Sequence, residues 1–197
     1  MRKLKREMLL LVVVLGLAGF LRAETYEIDP VHSQVGFRIR HIVSHVNGHF
    51  DDFAGKIDYD EKNPEALTAS VTIKTASVNT AIAKRDEHLR SPDFFNAQKF
   101  PEMTFKTTGV KSAGNGKLEI TGDLTLLGVT KPVTLHAEAL GAANDQKGNS
   151  HAGFSATGTL NRKDYGMVFN MAMDKGGLML GDDVELLIDI EAVNKKN

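Results

Sequence analysis

Three histidines, His41, His45 and His49, recur every four residues. On a helix that spacing would turn their imidazoles to one face, where they could close on a zinc or copper ion. Asn47 and Gly48 fall inside the run, and the residues before it alternate as a strand does. A turn is therefore expected at Asn47-Gly48, and no metal site is assigned. Asp86, His88 and Ser91 carry the residue types of a hydrolytic triad. On adjacent helical turns such groups more often cap and ion-pair. The chain has no cysteine nucleophile, no GxSxG elbow, no HExxH and no phosphate-binding glycine loop between a strand and a helix. The residues point to a binding protein rather than an enzyme, with no catalytic residue assigned.

What stands out instead is apolar. Phe37, Phe50, Phe53, Phe94, Phe95, Phe105 and Phe154 supply most of the aromatic surface in a chain without tryptophan. Ala69, Gly122, Ala137, Ala156 and Gly158 share their inward stripes. Large and small side chains together either interdigitate as a solid core or leave a tunnel, and periodicity does not choose between them.

The elements that must position these residues are mostly strands. Val35, Phe37 and Ile39 alternate with Gly36, Arg38 and Arg40 in residues 33–41. Phe50, Phe53 and Ile57 suggest a second strand with a bulge at Gly55. Leu67, Ala69, Val71 and Ile73 mark a third. Five more follow, around Met103–Thr107, Leu118–Leu126, Val133–Ala139, Phe154–Leu160 and Val184–Ile190. Gly114-Asn115-Gly116 turns the chain between two of them, GAANDQKGNS from Gly141 reads as a polar loop and DKGGLMLGDD as a glycine-rich one.

Between strands three and four lies RDEHLRSPDFFNAQKFPEMTF, from Arg85 to Phe105. Thr80 is placed to cap a helix there, Ile82 and Leu89 lie two turns apart, and Asp86 with Arg90 makes an i,i+4 pair. Pro92 should end the helix by forcing its predecessor out of the α region, with Phe94, Phe95 and Phe100 clustered at the exit. Eight strands, one helix and no helix-strand alternation exclude a parallel α/β sheet and leave an antiparallel barrel or sandwich.

The 197 residues, 42% hydrophobic and 25% charged, fit a single domain. Arg2, Lys3, Lys5 and Arg6 precede an apolar run of 14 residues from Met8 to Leu21. That is a secretory signal, too short for a stable membrane anchor, with cleavage expected after Ala23. The domains are thus residues 1–23, a signal peptide, and 24–197, the barrel. The mature part has 19 Lys and Arg against 24 Asp and Glu, a net charge of about −5, which argues against nucleic-acid binding. No cysteine is present to make a disulfide or take a lipid. A free protein of a Gram-negative periplasm is expected.

IDPVHSQVGFRIRH from Ile28, GHFDDFAGKI from Gly48, the Arg85–Phe105 block, ITGDLTLLGVTKPVTL from Ile120 and LNRKDYGM from Leu160 occur in that order. With these motifs the chain resembles the YceI-like family of exported lipid- or polyisoprenoid-binding proteins over almost all its mature length. The resemblance implies a lipocalin-like, eight-stranded antiparallel barrel, all-β but for a short helix between strands three and four. It implies no cofactor beyond a bound isoprenoid lipid or quinone, held by an apolar wall that takes in Phe37, Ile39, Phe53, Val71, Ile73, Leu89, Phe94, Phe95, Phe105 and Tyr165. By the same resemblance the helix from Arg85 to Arg90 and the Phe94-Phe95 pair border the cavity, and His41 and Arg90 are candidates for the ligand's polar head. A solid-cored stress protein and a lipid-modifying enzyme are the alternatives. A closed barrel needs no partner, although a homodimer could cover its mouth.

Overall fold

The computed structural model describes residues 23–174 and 176–195; the expected signal peptide lies outside them except for Ala23. Eleven strand segments make one antiparallel sheet: β1 (Glu24–Ile28), β2 (Gln34–His41), β3 (Ser44–Phe50), β4 (Phe53–Tyr59), β5 (Thr68–Lys74), β6 (Val78–Asn79), β7 (Glu102–Gly114), β8 (Lys117–Leu126), β9 (Val129–Asn144), β10 (Ser150–Asn161) and β11 (Leu180–Asn194). One helix, α1 (Ala83–Arg90), lies between β6 and β7. Six of the segments are halves of broken strands. The chain leaves the sheet at residues 29–33, at Asp51-Asp52 and across the 3-10 turn Thr75–Ser77, so β1/β2, β3/β4 and β5/β6 each act as one strand. Eight strands therefore close the barrel.

Closure depends on β11. Its end pairs with β1 (Glu27↔Val193) and its first half with β2 (Val184↔Ile39), so one long strand seals both halves of the first ribbon. Pro30 explains the first break, since it offers no amide to the ladder. The Asp29 carboxylate accepts from the Val31 amide at 3.0 Å, holding the chain in a turn there.

Period-two reading places most strands but misplaces several joints. It omits β1, where Tyr26 and Ile28 are buried while Glu24, Thr25 and Glu27 are exposed. Asn47-Gly48 is not a turn: both lie within β3, and the chain reverses at Ile42-Val43. Gly48 serves packing, because a Cβ there would sit 2.3 Å from Cζ of Phe37. Gly55 makes no bulge, since β4 pairs with β5 without a register shift; it accommodates Ile28 and the Ser70 carbonyl. The 141–150 stretch is loop only in its middle, because β9 runs on to Asn144 and β10 starts at Ser150. The Gly114-Asn115-Gly116 turn forms as expected, all three at positive φ.

Candidate functional site

α1 is held by buried polar contacts rather than by a cap. Its N-cap is Ile82, which offers no side-chain bond, so Thr80 does not cap the helix. The roles are reversed: buried Asp86 accepts from the Thr80 amide at 2.8 Å and from the Thr80 hydroxyl. Arg85 adds Nε to Thr80 Oγ1 at 2.7 Å and Nη2 to the Thr80 carbonyl at 2.9 Å. Arg90 does not pair with Asp86; it donates to the carbonyls of Ala76 at 2.6 Å and Val78 at 3.0 Å. The helix is thereby fixed to the β5–β6 edge without being strongly amphipathic.

Its exit follows the proline rule. Ser91 adopts ψ 169°, and the Phe95 amide then returns to the Leu89 carbonyl at 2.9 Å. That turn drives Phe94 and Phe95 inward, 7% and 8% exposed. Phe95 meets Phe50 edge-on at 5.5 Å, and Phe94 lies 5.1 Å from Phe169. His88 stands edge-on to both Phe94 and Phe169 at 5.0 Å.

Behind these rings the barrel is not filled. A cavity of about 400 Å³ runs through it, within the range of ~300–1,000 Å³ that small-molecule sites occupy. Its wall takes in Phe37, Ile39, Val71, Ile73, Leu89, Phe94, Phe95 and Phe105, together with His41. Three expected residues lie off it. Phe53 and Tyr165 are buried in the surrounding core, and Arg90 is spent on backbone carbonyls. At the β1 end the wall residues Ile28, Ile57 and Phe154 are buried, and Tyr59 packs edge-on against Phe154 at 5.0 Å. At the helix end the wall includes exposed His88 and Met171. The mouth is therefore beside α1.

Sequence reasoning missed four methionines on the wall, Met103, Met167, Met171 and Met179. The helix from Arg85 to Arg90 was expected to border the cavity, and its Arg85 and His88 lie on the wall; Arg162 was missed. With His41 these three put only nitrogen-bearing polar side chains on an otherwise apolar wall, and no carboxylate. Arg162 is 1% exposed. Its Nε donates to Gly181 O at 2.8 Å, Nη1 to Met167 O at 2.7 Å and Phe169 O at 2.9 Å, and Nη2 approaches Asp182 Oδ1 at 3.4 Å. Burial lowers its pKa against the pull of Asp182, but a guanidinium keeps its charge. It ties Met167 and Phe169, at the start of the 166–180 loop, to the first residues of β11. The LNRKDYGM motif contained it, yet its partners are carbonyls that no spacing reveals.

The three-histidine run does not converge. His41 is on the cavity wall, His45 faces Arg40 across the β2–β3 pair, and Nε2 of His49 pairs with Asp51 at 3.0 Å. Nor do Asp86, His88 and Ser91 form a relay. Asp86 is committed to Thr80, Nε2 of His88 meets Asp93 at 2.9 Å, and Ser91 Oγ accepts from the Asp93 amide.

The model of the YceI-like domain matches residues 26–192. The chain belongs to the YceI-like family. Protein YceI of Escherichia coli O157:H7 is 47% identical over 182 residues, 91% of this chain and 92% of that one. A crystal structure of a Campylobacter jejuni YceI protein superposes with a TM-score of 0.69 at 38% identity, covering 78% of this chain and 88% of that one. A polyisoprenoid-binding domain from Saccharophagus degradans superposes with a TM-score of 0.61 at 16% identity, covering 86% and 98%, a likeness of fold. In this YceI-like protein, no helix among the described residues is long and apolar enough to cross a membrane.

Proposed function

We propose that this YceI-like protein is a periplasmic binding or carrier protein that keeps an isoprenoid-type lipid, a polyisoprenoid or a quinone, out of water inside its barrel. The observation that carries the reading is the unfilled apolar cavity. A solid-cored stress protein has no use for about 400 Å³ of unfilled interior, which forfeits packing energy. The polyisoprenoid-binding domain of the same fold supports the ligand class.

Affinity would come from the chain of the ligand. Burying a CH₂ contributes roughly 0.8 kcal/mol, so about ten methylene equivalents reach the scale of a micromolar complex before ordering costs. The head needs only to satisfy a few donors. His41, with the ring and guanidinium nitrogens that His88 and Arg85 do not give to Asp93 and Thr80, stands where it would sit, and an acceptor-rich head such as a phosphate or a quinone carbonyl matches them better than an amine.

The test is titration of the delipidated mature protein with a fluorescent isoprenoid probe. Wild type should bind at micromolar concentration or below, and Ala156→Phe, which places a ring in the cavity, should weaken binding at least tenfold. A folded Ala156→Phe variant with unchanged affinity would remove the cavity from the account.

A further inference from the structure

Nine large hydrophobic side chains among the described residues are exposed, and five of them crown the mouth of the cavity. Val43 is 96% exposed, Val168 65%, Met171 53%, Ile42 41% and Leu178 40%. They come from two loops that backbone bonds join into one rim. The Ile42 amide donates to Met179 O at 2.7 Å, and the Met179 amide to Met171 O at 2.9 Å. Arg40 donates to Ile42 O at 3.1 Å and Leu178 O at 3.2 Å.

A second observation is independent of exposure. Ile42 holds φ at 53°, in the left-handed region where a β-branched residue is a genuine outlier and asparagine or glycine would sit without strain. The hairpin nevertheless turns on Ile-Val, with both side chains in solvent. Strain kept at an exposed apolar tip serves something other than the fold.

Charge narrows what that is. The acidic mature chain has no carboxylate from Gln34 to Phe50, and the hairpin built from this stretch carries Arg38, Arg40, His41, His45 and His49. Arg38 pairs with Glu185 and His49 with Asp51; among the described residues Arg40, His41 and His45 make no ion pair. The 166–180 loop adds one aspartate and one lysine by sequence. Asp182 lies near Arg40 but is held chiefly by Lys163, so Arg40 is the cation standing directly behind the apolar tip. An apolar tip backed by an arginine on a hairpin without carboxylates fits an anionic bilayer surface, where aliphatic groups enter the headgroup boundary and the guanidinium meets a phosphate. Five side chains amount to a few hundred Å² at most, short of the ~800 Å² per partner of a stable protein interface.

We propose that this crown docks the cavity mouth onto a bilayer containing anionic lipid, so that the ligand passes between membrane and barrel without crossing water. The proposal rests on the lipid-holding reading for its purpose but is tested apart from it. Flotation of the mature protein with phosphatidylethanolamine and phosphatidylglycerol vesicles should show wild type bound, severalfold more than to phosphatidylcholine vesicles. The double variant Val43→Ser with Val168→Ser should partition about tenfold less. Val31→Ser and Leu140→Ser, exposed aliphatic positions of other surfaces, should partition as wild type. Binding of the fluorescent isoprenoid probe in vesicle-free buffer should stay within about twofold in the crown variant.

Absence of vesicle binding by wild type, or equal binding by the crown variant, would overturn the proposal. So would a wild-type dimer that the crown substitutions dissolve, which would give the rim to a second copy. Vesicle binding that needs the crown, in a protein that does not take the probe, would support docking and count against the cavity reading.

Discussion

At the scale of single residues, the site depends on buried polar groups with committed partners. Asp86→Ala leaves the Thr80 amide and hydroxyl without their acceptor in a buried position, and should cost roughly 2–3 kcal/mol in urea denaturation. Thr80→Val, which keeps the amide and removes only the hydroxyl, should cost less, and a double variant no worse than Asp86→Ala would locate the effect in this contact. Arg162→Met strands the carbonyls of Met167, Phe169 and Gly181, and should cost about 3 kcal/mol or more, with amide exchange rising first in the 166–180 loop. Uniform exchange across the barrel would contradict a strap role.

Titration acts at the other end of β11. His151 is drawn up from its ordinary value by Glu191 at 2.9 Å and then by Asp145, and His32 likewise by Asp29 at 2.8 Å. A raised histidine contributes stability below its unfolded value of 6.5 and loses it as pH rises through the folded one. Asp145 is lowered to about 2, chiefly by the Asn149 side chain, and its contribution is lost as pH falls from 3.8 through that value. Melting temperature should therefore fall on the alkaline side of 6.5, and His151→Gln should flatten that limb. An unaltered limb would refute the assignment.

At the scale of elements, legibility depended on how local the signal is. Strand periodicity is local, so inward residues of β2, β5 and β7, including Phe37, Val71, Ile73 and Phe105, could be placed on the inner face by parity alone, while their place on a cavity wall came from the family resemblance. Phe53 has the same local pattern but packs off the wall, because which buried residues face the void is a property of the closed barrel. Joints were less legible. Ile42-Val43 carries no turn chemistry, whereas Asn47-Gly48 carries strong turn chemistry for an unrelated reason, the ring of Phe37. Arg162 was hidden because it answers to carbonyls five to nineteen residues away that only the folded chain brings near.

One substitution tests the packing account of Gly48. In Gly48→Ala the new Cβ lies 2.3 Å from Phe37 Cζ and 2.9 Å from Thr80 Cγ2, so the ring must move toward the cavity it lines. The expected outcome is a stability loss of about 1–3 kcal/mol with weakened probe binding. Full probe affinity in a destabilised variant would show that Phe37 has room elsewhere.

At the scale of the whole molecule, the barrel closes its β1 end with Tyr26, Tyr59 and Phe154 and opens beside a helix whose aromatic exit lines the mouth. An interior void lowers the stability of the empty form, and a ligand that fills it stabilises by mass action, about 2.7 kcal/mol at a hundredfold excess over Kd. Melting temperature should thus climb with isoprenoid concentration in wild type and stay flat in Ala156→Phe. The most direct measurement is native mass spectrometry of the protein taken from its own host without detergent, followed by lipid analysis of an organic extract. The account predicts a stoichiometric isoprenoid or quinone adduct that is lost on denaturation. An adduct-free protein that stays so after incubation with quinones and polyisoprenoids would contradict it.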